Sequence, residues 1–566
     1  LAEHQPGSLS DNVASLWSLV RSGPGEGRRQ VAIDLAIAAI SDVIVLYSIN
    51  EVIRVYRDGG FPTREMFLFG VAASASIISF ARVLRVVSQS YNRVLSRMTL
   101  QILDKTRHVD LAQFEALGGA SILARLTTDV DRVLGAGALL MGVLKSAGLV
   151  ILAFLYFMMR SVEAAVFGFG ALALLTAMTV HKGATLRKGF QRAEVVKAEL
   201  LAIGAGLVRG IKQVKVHRGR REAILADVRE HATKLSSEQA ETFRRYYAED
   251  ALGFAFFFSL QAFIVIGFPI LFSTDATTTG ELVMTVWYIS GAMGMVFKNQ
   301  PELAAASAAL ARVRALESQL DASGATPATA ATAATAAEPA IDDHLVEGFT
   351  SLGVHGLTYR YRTPGEVGAP RRGFQVGPLE ATIPRGDIVF VTGNNGSGKS
   401  TFLKLLTGLY APDAGTLSCD GHTLPRVAPE AYRNLFGVIL SDFVVFERLY
   451  GMEDVDPARV TALLEEMEIA HKVSFAAGRF STVELSTGQR KRLAMVVALL
   501  QDRPILVLDE WAADQDPAFR ATFYRKLLPA LKRKGKTVIA VTHDEQYFSV
   551  ADRRLAFRDG KLVSEA

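Results

Sequence analysis

Runs of apolar residues long enough to cross a bilayer crowd the first half of the chain. Six can be traced, at roughly 30–55, 66–90, 133–159, 163–185, 248–272 and 281–303. Each reaches the ~20 residues that a helix needs to span the hydrocarbon core. Glycines and polar residues interrupt the fourth and the sixth. The short polar stretches YRDGGFPTRE, RSVEA and FSTDATTTGE make three of the connections. The second and third runs, and the fourth and fifth, are separated by much longer polar segments. There, in ILARLTTDVDRVL and AEVVKAELLAIGAGLVRGIKQV, apolar residues recur every three or four positions. That period predicts helices that continue out of the membrane.

Past residue 345 or so the pattern changes. Short β-rich runs (DIVFVTG, ILVLDE, TVIAVTHD) alternate with helical stretches. This is the pattern of an α/β nucleotide-binding domain with a parallel sheet. Before it lies DASGATPATAATAATAAEPA, a low-complexity Ala/Thr segment with two prolines. Such a composition predicts a flexible linker. The expected organisation is a helical transmembrane domain over 1–318, a linker over 319–345 and an α/β domain over 346–566.

Composition agrees. Of 566 residues, 50% are hydrophobic, and the mean hydropathy is +0.23. A soluble chain of this length rarely averages above zero. The net charge of +5 is concentrated in the long connections, at Arg93, Arg97, Lys105, Arg107, Lys188, Arg192, Lys212, Lys215, Arg218, Arg220 and Arg221. The positive-inside rule puts those connections, and with them both termini, in the cytosol. The basic excess is thus a topological signal, and no nucleic-acid partner is expected. One cysteine, Cys419, excludes an internal disulfide and a cysteine-rich metal site. The first apolar run starts too late and runs too long for a cleavable signal peptide.

The second domain carries the chemistry. GNNGSGKST follows the strand-like IVFVT and precedes the helical FLKLLTGL. It fits the phosphate-binding pattern G-x-x-x-x-G-K-[ST] in its required strand–loop–helix setting. Candidate nucleotide ligands are therefore Gly393, Asn394, Asn395, Gly396, Ser397, Gly398, Lys399, Ser400 and Thr401. Backbone N–H groups can turn inward around phosphates, Lys399 supplies a positive charge, and the Ser400 hydroxyl can ligate Mg²⁺. In ILVLDE, Asp509 ends a buried strand and is a second candidate for the metal shell. Glu510 beside it can act as general base toward water. His543 ends a further strand, TVIAVT, at the matching place. It can order the base and its water.

The stretch LSTGQRKRL (Leu485–Leu493) resembles the LSGGQ signature of ABC ATPases. With the phosphate loop, the Asp–Glu pair and His543 in that order, the chain resembles an ABC exporter half-transporter along nearly its whole length. That resemblance implies six spans of the type IV exporter kind, ATP and Mg²⁺ as cofactors, and a second subunit, expected to be an identical one. In such a dimer Ser486, Thr487, Gly488 and Gln489 meet the nucleotide held by the partner. Tyr361, in LTYRYR, occupies the position where these proteins stack an aromatic on adenine. Two departures stand out. Where a glutamine is usual the chain reads VILSDFVVF, placing Ser441 and Asp442 as further metal or water ligands. Where LDEATSALD is usual it reads LDEWAADQD, with Asp516 at the closing aspartate. These departures are similar to the cyclic-peptide and siderophore-precursor exporter group. The resemblance implies a multi-pass protein of the bacterial inner membrane.

Charges inside the spans bear on the cargo. Asp34 and Asp42 lie in the first run, Arg82 and Arg85 late in the second, Lys145 in the third and Lys298 late in the sixth. Ionisable groups at such positions generally face protein or water, although Arg and Lys can also snorkel to the interface. Arg82, Lys145 and Lys298 fall at similar depth. Together with Asp42 they are candidate cargo contacts, and they predict a cargo with acidic groups. A peptide-like cargo is expected. A lipid or glycolipid flippase has the same architecture, and a nucleotide-gated channel or a regulatory ATPase is a further reading.

Overall fold

The computed structural model describes residues 9–21, 25–160, 162–272, 274, 276–324, 348–361, 373–426 and 430–565. They form two compact units. One comprises Leu1–Ile102 and Leu123–Leu316, the other Leu103–Ile122 and Glu317–Ala566.

The first unit is helical. Among the described residues, five stretches are long and apolar enough to cross a membrane: Gly27–Arg57, Thr63–Thr106, Ser121–Met159, Ala251–Phe272 and Thr277–Asp321. The fourth expected span falls in the helix Val162–Arg209, where the side chains of 175–188 lie outside the described residues. The long polar connections are helical too. The helix Arg218–Phe272 runs for 55 residues from a charged segment into an apolar one. Phe67, Ile77 and Ile270 stay largely exposed, as lipid-facing side chains would. The inward faces meet in a core that includes Leu16, Val83, Tyr91, Leu140 and Leu310. Tyr91 buries its ring there and donates its hydroxyl proton to the Leu16 carbonyl at 2.9 Å.

The second unit is built on strands, in chain order β1 (Ser351–Arg360), β2 (Gln375–Pro384), β3 (Ile388–Gly393), β4 (Ala414–Cys419), β5 (His422–Thr423), β6 (Phe436–Ile439), β7 (Phe475–Ala476), β8 (Arg479–Phe480), β9 (Ile505–Asp509), β10 (Thr537–Val541), β11 (Arg553–Arg558) and β12 (Lys561–Glu565). One sheet has the order β12-β11-β3-β10-β9-β6, and a second has the order β2-β1-β4-β5. In the six-stranded sheet only β12 pairs antiparallel. Strands β9 and β10 are buried at every position, because helices cover both faces of a parallel sheet. Their register aligns Val541 with Asp509 on one side and with Val391 on the other. The carboxyl ends of β3, β9 and β10 therefore finish side by side, where open α/β sheets bind ligands.

One segment departs from the expected domains. Residues 103–122 were expected within the membrane domain but belong to the strand-containing unit. Leu111 and Ala112 pack on its core. Glu115 pairs with Lys404 at 2.8 Å and accepts the Tyr410 hydroxyl. Burial raises the Glu115 pKa, but these two hydrogen bonds outweigh it and hold the carboxyl below its usual range. Nothing local in the sequence of 103–122 distinguishes a helix that seats on another unit from one that continues its own. The first residues of the expected linker continue the helix Gln300–Gly324, and 325–347 lie outside the described residues.

Candidate active site

The phosphate loop has the shape its glycines predict. Gly393, Gly396 and Gly398 all adopt positive φ, at 137°, 77° and 103°. A Cβ on Gly393 would stand 2.2 Å from the Phe557 carbonyl oxygen, so neither backbone nor space admits another residue there. Gly398 caps the helix Lys399–Leu406. The buried Lys399 ammonium folds over the loop and donates to the carbonyls of Gly393 at 2.9 Å and Asn394 at 3.0 Å. Burial pushes its pKa down, against the pull of Glu510 and Asp509. The buried hydroxyl of Ser397 has no hydrogen-bond partner. A phosphate oxygen would satisfy it, which is what a polar group buried in such a cradle requires. Asn394, Asn395 and Ser400 are exposed on the same loop.

Asp509 is 2% exposed. Burial raises its pKa, while hydrogen bonds from the Ser400 side chain and the Ser441 backbone N–H pull it down. These contacts bring together three of the expected metal-site positions, Ser400, Asp509 and Ser441. Their hard oxygens suit Mg²⁺, which takes one or two protein ligands and completes its shell with phosphate and water. Asp442, the fourth, is exposed and lines a hollow with Thr407, Arg433 and Phe443.

Glu510 follows at φ 49°, a left-handed conformation that costs a non-glycine residue on the order of 1 kcal/mol or more. Besides the Ala513 N–H, which donates to its carbonyl at 3.3 Å within the turn, three contacts hold it. Its N–H donates to the Val541 carbonyl at 3.2 Å, its carboxylate lies 3.3 Å from His543 Nε2, and its carbonyl accepts the Lys491 ammonium at 2.6 Å. The base and its expected orienter are thus in contact, both partly open to solvent. The bulky residue after Glu510 is also explained. Trp511 is 1% exposed, its ring tilted against Phe523 with centroids 4.6 Å apart, and its indole N–H donates to the Lys491 carbonyl at 2.8 Å. It is core rather than surface.

The signature opens the helix Thr487–Leu500. Ser486 and Thr487 are exposed at the positive end of its dipole. Ser486 and Gln489 form a reciprocal capping box, in which the Gln489 side-chain oxygen accepts the Ser486 N–H at 3.3 Å. The Ser486 hydroxyl accepts in that box and keeps its proton to donate. Gly488 is required by close approach, since a Cβ there would meet the Asp514 carbonyl at 2.6 Å. Asp516 is engaged within its own turn. It caps the next helix through the Phe519 N–H at 2.9 Å and pairs with Arg492 at 2.5 Å. Both carboxylate oxygens are engaged, and those contacts keep its pKa low, the Phe519 N–H foremost. These contacts tie it into the turn. Tyr361, just past β1, sets its hydroxyl 2.9 Å from Thr401 and its ring edge-on to Tyr359. Its ring thus lies against the phosphate-loop helix.

The charges in the spans do not stand as an open positive ring. Lys145 pairs with Asp42 at 3.0 Å and donates to Ser76 at 3.0 Å, whose hydroxyl in turn donates to Asp42 at 2.5 Å. Arg82, half exposed, pairs with the buried Asp34 at 3.4 Å. Each of these two cations brings its own acid, because an unpaired charge within a span is costly. Lys298 is exposed at the end of its helix. Replacing Lys145 by Met should destabilise the helical unit by about 3–5 kcal/mol by stranding Asp42. The double variant Lys145→Met, Asp42→Asn should recover most of that loss. Thermal unfolding in detergent measures both. A double variant no more stable than the single one would show that the pair is not the cause.

Sequence reasoning missed Lys491, Gln515 and Glu115. Lys491 sits in a basic run that looks like a solvated helix face. It is buried only because the helix packs on the catalytic turn.

The profile of the family described as ABC transporter matches residues 376–513. The ATP-binding protein SyrD of Pseudomonas syringae pv. syringae is 30% identical over 541 residues, spanning 94% of this chain and 92% of that protein. The Nod factor export ATP-binding protein I of Burkholderia lata is 34% identical over 204 residues, 34% of this chain and 65% of its own. An ATP-dependent lipid A-core flippase of Dechloromonas aromatica is 31% identical over 202 residues, about a third of each chain (33% and 34%).

Proposed function

This chain belongs to the ABC transporter family, and on that premise we propose that it exports a cyclic or otherwise modified peptide, or a siderophore precursor, from the cytosol or inner leaflet. It is an ATP-driven exporter in which hydrolysis is coupled to transport. The observation that carries the cargo reading is the likeness to SyrD, which extends over 94% of the chain and so includes the helical unit. In our reading the chain is one half of a homodimer in the bacterial inner membrane. It has six spans of the type IV exporter kind, a membrane domain over 1–318 whose segment 103–122 groups with the strand-containing unit, a linker over 319–345 and both termini cytosolic. The exposed signature at Ser486 and Thr487 supports the need for a second subunit, since it offers a hydroxyl and a helix N-terminus outward. Acidic groups on the cargo would meet Lys298 and the half-exposed Arg82.

The chain's residues then divide the work. The loop Gly393–Thr401 cradles the phosphates, with Lys399 swinging from the loop carbonyls to their charge. Tyr361 stacks on adenine. Ser400 and Asp509, with Ser441 behind them, would hold Mg²⁺, which spreads the charge developing on the transferred phosphoryl group. Glu510 accepts the proton of the attacking water as its oxygen bonds to the γ-phosphorus and the bond to ADP breaks. His543 holds that carboxylate in place.

A lipid flippase is the second reading, favoured by the partial likeness to the lipid A-core flippase. The full-length protein in nanodiscs separates the two. ATPase activity should rise severalfold with a cyclic lipopeptide and stay flat with lipid A-type lipids. The opposite pattern would overturn the peptide reading.

A further inference from the structure

We propose that Lys491 is a positioning residue for hydrolysis: it fixes the main chain of Glu510 from the signature helix, and so makes the catalytic base answer to the state of the signature.

The argument rests on which elements hold Glu510. Two of its four contacts, the Val541 carbonyl and His543, come from the end of β10 and the residues just past it. β10 pairs with β9, which ends at Asp509. A third, the Ala513 N–H on the Glu510 carbonyl at 3.3 Å, lies within its own turn. The fourth comes from elsewhere. Lys491 lies little more than one turn into the helix that begins at the signature. It is 6% exposed, and its ammonium reaches the Glu510 carbonyl at 2.6 Å and Asp514 at 2.7 Å. A buried ammonium needs such partners, and a charge-assisted hydrogen bond is about twice as strong as a neutral one.

The rest of the contact makes the connection stiff. Trp511 donates to the Lys491 carbonyl, Gln515 donates to the Gly488 carbonyl at 3.1 Å, and the missing Cβ of Gly488 lets the helix seat against Asp514. The turn that carries Glu510 is therefore tied at several points to the helix that carries Ser486. Glu510 also sits at a left-handed φ that a side chain disfavours. A residue in such a conformation relaxes when one of its restraints is withdrawn. A shift of the signature helix would act on the base chiefly through the carbonyl that Lys491 holds. In the paired arrangement proposed above, on which this consequence rests, Ser486 reads the partner's nucleotide. The base of one site would then sense occupancy of the other.

The test uses the full-length protein in nanodiscs and MgATP. Lys491→Met should lower kcat about tenfold or more, with KM for ATP within about twofold of the parent, the pattern of an interaction made in the transition state. The Hill coefficient for ATP should fall toward one. Lys491→Arg keeps the charge and donors and should restore at least a third of the parental kcat. If the Met variant does not fold, Asp514→Ala replaces it. Asp514 is half exposed, and freeing the ammonium from this anchor should lower kcat about threefold at unchanged KM. The inference is overturned if kcat stays within twofold of the parent, if KM rises in parallel, or if Arg does no better than Met. The paired-signature reading is tested apart from it by Ser486→Arg, which should abolish hydrolysis. Normal turnover in that variant would refute the pairing without touching the Lys491 data.

Discussion

Glu510→Gln should leave ATP binding intact and lower steady-state hydrolysis by about two to four orders of magnitude, the usual contribution of a positioned general base. Glutamine keeps the size of the side chain and its contact with His543 but cannot accept the proton of water. The main-chain contacts of Glu510 to Val541 and Lys491 do not involve the carboxylate, so the turn should keep its shape. ATP should then be trapped and hold two ATPase domains together. The measurement is phosphate release beside retention of a labelled nucleotide after gel filtration. Near-normal phosphate release would remove Glu510 from the base role. Loss of retention together with turnover would mean that the substitution damaged the site rather than the chemistry.

The second large effect concerns stability. Trp511→Ala should cost the strand-containing unit about 3–5 kcal/mol, the range for truncating a large buried aromatic. The ring is fully enclosed, between Phe519 at 6.2 Å and Phe523 at 4.6 Å. Its removal also leaves the Lys491 carbonyl without its donor. Trp511→Phe separates the two contributions. It keeps most of the packing and loses only the indole N–H, so it should cost about 1–3 kcal/mol. Calorimetry of the full chain in detergent measures both variants. An Ala variant that melts with the parent would mean that the cavity closes by collapse, or that Trp511 is not part of the cooperative core.

The phosphate loop, Asp509, Glu510 and His543 were legible because their chemistry is local. Each lies at the end of an apolar run whose period marks it as a strand, and parallel pairing then has to bring those ends together. The membrane-length helices were legible for the same reason. What stayed hidden depends on contacts between distant positions. Asp42, Ser76 and Lys145 lie on three helices, and no apolar period says which faces meet. The sequence therefore suggested exposed cations where the structure has ion pairs. Gln489 and Asp516 carry the residue types of a nucleotide contact, and the local geometry of helix starts also engages both in capping, a partnership that residue type alone does not show. The seating of 103–122 on the ATPase unit was likewise invisible, since Leu111 and Ala112 look like any helical apolar pair.

The chain has three tryptophans, and they stand in three different surroundings. Trp17 is half-buried near the start, Trp287 is 66% exposed on an apolar helix, and Trp511 is enclosed beside the catalytic turn. Removing the first two with phenylalanine would leave a single indole whose emission comes from one known place, bonded through its N–H to the signature helix. Its colour and lifetime depend on that hydrogen bond and on the fields around it. The protein thus contains its own optical gauge, read without any attached dye, of the strain passing between its signature and its catalytic base during turnover.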